Sequence, residues 1–170
     1  MNIPPKTQAS TDDNASGLHE TDQENVPERR IDALLHHYGL SHVHPTNEVI
    51  HMVAIPAIML SLIGLMFALH PALALVFFAA SMVYYARLSL PFTVCMLLVS
   101  SVMLAVVDAL DARGVLVPVS VLVFVVAWIF QFIGHRIEGK KPSFFEDVQY
   151  LWVGPLFVLS KGFLRLGVRW

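Results

Sequence analysis

Histidines concentrate in two segments of the chain that could together hold a metal ion. Five of the eight histidines lie within 16 residues around the start of the first long apolar run: His36, His37, His42, His44 and His51. A sixth, His135, ends the last long apolar run, in the sequence WIFQFIGHRIEGKKP. Imidazoles combined with a carboxylate suit Fe(II), Zn or Mn, and a single cysteine excludes a thiolate cluster. The chemistry that these residues predict is therefore that of an imidazole-bound metal ion.

Helical periodicity places the polar side chains of each segment on one face. Three residues of the first segment share a face if a helix begins near Pro45: His44, Asn47 and His51. His42 would reach the same place from the loop just ahead of that helix. Four residues of the second segment fall within an arc of about 80°: Trp128, Gln131, His135 and Glu138. Burying such polar groups in a bilayer is costly unless they are paired, hydrated or coordinating, so we expect both faces to point into the protein.

The elements that position these residues are apolar helices of membrane length. Of the 170 residues, 56% are apolar and 14% charged, whereas soluble chains carry about 25% charged residues. A membrane span needs about 20 apolar residues, and four runs approach that length: residues 49–69, 71–86, 90–107 and 115–134. The sequence therefore predicts an all-α, multi-pass membrane helix bundle with four transmembrane helices. The single Cys95 lies in the third run and is interpreted as a core residue.

The segments on either side of the spans are predicted to lie outside the bilayer core. Residues 1–28 are polar and acidic, which indicates a disordered tail, and residues 29–170 form the membrane-embedded helical domain. Apolar positions after Arg29 suit an interfacial helix that ends at Gly39. Ser143 and Glu146 form a capping box, which predicts a second interfacial helix from Phe144 that is kinked at residues 154–155.

The distribution of cations predicts the orientation in the membrane. Basic residues precede the first span, separate the second from the third, and follow the fourth: Arg29, Arg30, Arg87, Arg136, Lys140 and Lys141. With four spans, the positive-inside rule places both termini in the cytoplasm. The start of the first span and the end of the fourth then lie at the same depth. No apolar region follows a basic start, so we expect no cleavable signal peptide, which fits a bacterial inner membrane or the endoplasmic reticulum.

The two histidine segments resemble the two signature blocks of the yeast-type 2-hydroxy fatty acid dioxygenases, the family named for metabolism of phytosphingosine to odd-numbered fatty acids. The similar residues lie in YGLSHVHPTNEVIHMVAIP and QFIGHRIEGKKP: Tyr38, His42, Asn47, His51, Pro56 and His135. The resemblance covers about residues 30–160. It implies a small membrane protein that uses Fe(II) and O2 to shorten a 2-hydroxy fatty acid by one carbon.

The resemblance also implies roles for individual residues. His42, His51 and His135 would bind the metal, with Asn47 and Glu138 in or beside its coordination shell as further catalytic residues. Glu138 follows His135 by three residues, where the yeast-type pattern has four, which turns the carboxylate by about 100° around the helix. His44 would offer a fourth nitrogen. The acyl chain would lie between the first and fourth spans, against four apolar residues: Ile55, Met59, Ile129 and Phe132.

Two other classes of function remain open at the level of sequence. One is a metal-binding, non-enzymatic membrane protein or small transporter, although no internal repeat is visible. The other is a di-iron membrane desaturase or hydroxylase. Members of that class resemble one another in carrying several spaced histidine boxes, and this chain has no such box beyond the first span. A net charge of −2 without a basic patch argues against nucleic acid as a partner. The sequence leaves the substrate chain length and a homo-oligomer open.

Overall fold

The described part of the chain consists of α-helices, and the four longest follow one another through short connections. The computed structural model describes residues 29–40, 43–139 and 150–170, which contain six helices and no strand: α1 Arg30–Gly39, α2 Pro45–Leu69, α3 Pro71–Ala86, α4 Leu90–Asp111, α5 Leu116–Glu138 and α6 Val153–Leu166. The predicted all-α class is confirmed. The acidic tail, His42, Lys140, Lys141 and the capping box at Ser143 lie outside the described residues.

Three of the helices are long and apolar enough to cross a membrane, namely α2, α4 and α5. The remaining predicted span, residues 71–86, corresponds to α3, which has 16 residues and is about 24 Å long. The hydrocarbon core of a bilayer is about 30 Å thick. The described part of the chain therefore contains three helices of spanning length and one shorter apolar helix, where the sequence predicts four spans.

Two helices begin with the same local motif, a histidine followed by a proline. The Nδ1 atom of His44 accepts a hydrogen bond from the backbone N–H of Thr46 at 3.2 Å, and that of His70 accepts one from Ala72 at 3.1 Å. Each imidazole thereby satisfies one of the N–H groups that have no partner in the first turn of a helix, and the following proline suits the first helical position. His44 and His70 are thus N-caps of α2 and α3.

Helix α2 is central and packs against α3, α4, α5 and α6. Its contact with α5 is the most extensive and runs antiparallel along both helices. At Gly64 the backbones approach so closely that an added Cβ would overlap Ser120 Oγ and lie 3.2 Å from a Leu116 methyl group. Small residues at a helix crossing permit this approach, as is common in membranes. The close packing fixes α2 relative to α5 and hence the side chains between them.

Helices α1 and α6 pack together at the end of the bundle where α2 begins. The Tyr38 and Phe157 rings lie 5.0 Å apart between these helices, and Lys161 of α6 forms a 3.2 Å ion pair with Glu48 in the first turn of α2. The indole Nε1 of Trp152, the residue before α6, donates a 2.9 Å hydrogen bond to Ser81 Oγ of α3. The α1–α6 pair therefore packs beside the first turn of α2, at the end of the bundle that carries the predicted site.

The predicted kink at residues 154–155 is not found. Helix α6 begins at Val153, which places Pro155 in its first turn. A proline is tolerated there because its missing N–H would have had no partner within the helix. At Gly154 an added Cβ would lie 3.0 Å from a methyl group of Ile55. This Gly-Pro pair therefore starts the helix and lets it approach α2 closely.

Candidate metal or active site at the α2–α5 crossing

The two histidine segments meet where α2 begins and α5 ends. The rings of His51 on α2 and His135 on α5 lie with their centroids 5.1 Å apart and their planes at 85°. His51 is fully buried, and His135 is 7% exposed. The expected convergence of residues that are 84 positions apart in sequence is therefore present in the structure.

The orientation of His51 is set by the backbone of its own helix. Its Nδ1 lies 3.0 Å from the carbonyl oxygen of Asn47, one turn earlier. A carbonyl oxygen only accepts, so Nδ1 carries the proton and donates it. The lone pair is then on Nε2, which is the atom that can bind a metal ion or accept a proton.

Glu138, the last residue of α5, lies against the first turn of α2. Its carboxylate accepts hydrogen bonds from the backbone N–H groups of Val43 at 2.9 Å and His44 at 3.0 Å, and from Nδ2 of Asn47 at 2.9 Å. A negative charge is unfavourable at the C-terminus of its own helix but favourable at the N-terminus of the next one. Glu138 therefore joins the start of α2 to the end of α5, and its predicted place in or beside the coordination shell of the metal stays a prediction.

The same carboxylate determines which way the Asn47 amide points. A carboxylate only accepts, so the NH2 group of Asn47 must face Glu138 and its Oδ1 faces α5. There it occupies the space above Gly134, where an added Cβ would overlap Oδ1 and lie 3.4 Å from Cε1 of His51. Gly134 was not predicted from the sequence as a site residue. A glycine inside a helix, here directly before His135, nevertheless indicates that another helix can approach closely.

Gln131 lies one turn before His135 on the same face of α5. It is 3% exposed, and within the described ranges its Oε1 is buried without a hydrogen-bond partner. The predicted polar face of α5 is thus found to be turned inward, because Trp128 and His135 are each 7% exposed. The interior of this crossing combines two imidazoles with two primary amides.

An apolar groove of about 540 Å³ runs along α2 and α5 on the outer side of their contact. Its lining includes the exposed Val49 and Val53 and extends to Ala57 and Phe130. The volume lies within the range of about 300–1,000 Å³ that is typical of ligand sites. None of the four residues that the sequence predicted around an acyl chain lines this groove: Ile55, Met59, Ile129 and Phe132. The first two of these are buried in the core instead.

Comparison with known proteins assigns the chain to a family. A family model described as 2-hydroxy-palmitic acid dioxygenase Mpo1-like matches residues 29–164, which include both histidine segments. The chain belongs to the Mpo1-like family. It is similar to the 2-hydroxy-palmitic acid dioxygenase MPO1 of Saccharomyces cerevisiae, with 29% identity over 139 residues, which cover 76% of this chain and 78% of the yeast protein. No solved structure matches it.

The residues of this Mpo1-like chain fit part of a metal site. Nitrogen ligands lie about 2.1 Å from an ion, so rings whose centroids are 5.1 Å apart can reach the same ion. The third expected ligand, His42, is one of the residues that the structure does not describe. Among the residues that are described, no group of three or more His, Cys, Asp or Glu is arranged to hold a metal. His44 is exposed and caps α2, so the structure does not bring it into the pair.

Proposed function

We propose that this Mpo1-like chain is an Fe(II)-dependent membrane dioxygenase that shortens 2-hydroxy fatty acids by one carbon. The observation that carries the proposal is the buried pair of His51 and His135, whose rings lie 5.1 Å apart in a bundle of apolar helices. The two imidazoles lie side by side on facing helices, and the match to the family model spans both histidine segments. A shared metal ion would explain why these segments converge here.

Each polar residue of the crossing has a task in this proposal. His51, through Nε2, His135 and His42 would hold the iron, which when bound supplies the reaction with O2 that organic side chains cannot perform. Glu138 and Asn47 hold the first turn of α2 against α5 and so keep the two imidazoles in register. Exposed Arg136, next to His135, attracts the carboxylate of an approaching fatty acid.

The membrane supplies both the setting and the route for an apolar substrate. In the proposed topology α3 also spans the membrane, in addition to α2, α4 and α5. The reason is that α2 and α4 start at the same end of the bundle, so α3 must run back between them. Both termini and the α2–α5 crossing then face the cytoplasm. The apolar groove between α2 and α5 takes the acyl chain, since it opens toward lipid through Val49 and Val53, which are 61% and 70% exposed.

The proposal is tested on protein purified in detergent and loaded anaerobically with Fe(II). Iron content, O2 uptake and the acid one carbon shorter are measured after adding 2-hydroxypalmitic acid and then air. Wild type is compared with His135→Ala and with His36→Ala, which removes an exposed histidine of α1. We expect stoichiometric iron and product for wild type and His36→Ala, and loss of both for His135→Ala.

Two results would contradict the proposal in different ways. If iron is bound through His135 but no hydroxy acid or O2 is consumed, the site is real and the chain is a metal-binding, non-enzymatic membrane protein or transporter. If His135→Ala binds as much iron as wild type does, the two imidazoles do not share a metal ion and the site itself is misassigned.

A further inference from the structure

The amide of Gln131 is the polar group of the crossing that has no task in the proposed mechanism. Its side chain is 3% exposed, and its Oε1 is buried without a hydrogen-bond donor anywhere in the described residues. Buried polar atoms are almost always hydrogen-bonded, because leaving one unpaired costs free energy comparable to a lost hydrogen bond. The fold therefore tolerates an unpaired polar atom at Gln131. A hydrophobic residue of similar size would not carry this free-energy cost.

The position of Gln131 indicates what its partner would be. It precedes His135 by four residues on one face, which places it about 6 Å deeper along the helix axis and brings the two Cβ atoms to within about 5–6 Å. Gln131 also lies one turn beyond Ala127, which lines the apolar groove, in the direction of His135. A fatty acid whose acyl chain fills the groove and whose carboxylate points toward Arg136 would bring its carboxyl end, with the hydroxyl on the second carbon, past Gln131. That hydroxyl is a neutral hydrogen-bond donor.

We infer that Gln131 is a binding subsite for the hydroxyl on the carbon next to the substrate carboxylate, with the amide Oε1 as hydrogen-bond acceptor. This inference rests on the proposed function, which supplies a 2-hydroxy acid as the ligand. It gives a structural reason for selecting hydroxylated over ordinary fatty acids. A site built to bond a hydroxyl discriminates strongly against the analogue that lacks it, because the buried acceptor is then left without a partner.

Two neighbouring groups do not substitute for Gln131. The Asn47 Oδ1 also has no hydrogen-bond partner among the residues described, but it packs directly on Gly134 and is held there by Glu138. Ser61 is buried on α2, and its hydroxyl already donates to the carbonyl of Ile58 at 2.8 Å. Gln131 therefore provides an acceptor that combines burial, an oxygen without a hydrogen-bond donor among the described residues, and a place on the His135 face.

The test compares the affinities of 2-hydroxypalmitic acid and palmitic acid for the anaerobic, Fe(II)-loaded protein, measured by equilibrium binding without turnover. The variant is Gln131→Leu, which keeps the volume and removes the amide. Ser61→Ala is the control, because it removes a buried polar group that already has a partner. We expect the preference for the hydroxy acid to fall by about tenfold in Gln131→Leu, the contribution of one hydrogen bond, and to be unchanged in Ser61→Ala.

The thermal stability of the ligand-free protein separates a binding role from a structural one. Gln131→Leu should unfold at the same temperature as wild type or higher, because it removes an unsatisfied buried group. A lower unfolding temperature with equal weakening of both acids would overturn the inference, as would an unchanged preference. If wild type prefers the hydroxy acid, loses that preference in Gln131→Leu and yet produces no shortened acid in air, the subsite stands and the proposed reaction fails.

Discussion

Replacing Gly134 by alanine tests how strongly the candidate site depends on the α2–α5 crossing. The added methyl group would overlap Oδ1 of Asn47 and lie 3.4 Å from Cε1 of His51. Overpacking of this kind costs about 1–3 kcal/mol, and the higher helix propensity of alanine returns about 1 kcal/mol of that. We expect a net loss of stability of about 0–2 kcal/mol, with the strain concentrated at the imidazole pair.

Two other glycines separate the effect on stability from the effect on the site. Gly162 lies on an exposed face of α6 with nothing within 4 Å of an added Cβ, so Gly162→Ala should stabilise the protein by up to about 1 kcal/mol. Gly64→Ala creates a comparable overlap with Ser120 but at the opposite end of the α2–α5 contact. It should therefore lower stability without disturbing the histidines.

The measurements are thermal unfolding in one detergent, bound iron and consumption of 2-hydroxypalmitic acid. A displaced imidazole typically costs roughly tenfold to hundredfold in kcat/KM, so Gly134→Ala should lose activity and iron affinity out of proportion to its stability. Gly64→Ala should lose stability with iron retained. Equal stability and activity in Gly134→Ala and Gly162→Ala would refute the view that the close approach at residue 134 positions the site.

Five further substitutions test individual hydrogen bonds. Glu138→Gln places an NH2 group against the donors of the first turn of α2 and should destabilise the protein by about 1–3 kcal/mol in thermal unfolding. His44→Ala and His70→Ala should each lose about 1 kcal/mol of N-cap stabilisation with equal iron content; selective iron loss in His44→Ala would instead identify a ligand. Trp152→Phe and Ser81→Ala remove the two ends of a 2.9 Å hydrogen bond, so a double-mutant cycle should show a coupling of about 1 kcal/mol, and additivity would argue against that bond.

The faces that carry the site were predictable because helix periodicity is a local property. The four-residue spacing between Asn47 and His51 states that these two side chains share a face before any tertiary contact is known, and both are buried. His44, the third residue of that predicted face, is exposed and caps α2 instead. The convergence of Asn47 and His51 with His135 followed from the alternating direction of consecutive apolar helices. Neither inference needed the details of packing, and the burial of His51 and His135 agrees with both.

Other features depended on contacts that a sequence does not state. The span predicted at residues 71–86 has the composition of a transmembrane helix but only 16 residues, and composition alone does not show how a bundle accommodates a short helix. The Gly-Pro pair at residues 154–155 predicts a break within a helix. In the structure the pair lies in the first turn of α6, where a proline is tolerated.

The contacts of Glu138 explain why the three-residue spacing after His135 is compatible with an ordered site. Residues three apart are neighbours on a helix surface, so an α5 whose His135 faces α2 also directs Glu138 toward α2. There the carboxylate fixes the amide of Asn47, and the backbone carbonyl of the same residue orients the ring of His51. A carboxylate one residue later would be turned by about 100° and would lie on the other side of His135, away from the position in which Glu138 accepts from Val43 and His44. The spacing that departs from the yeast-type pattern thus links the end of one histidine-bearing helix to the start of the other.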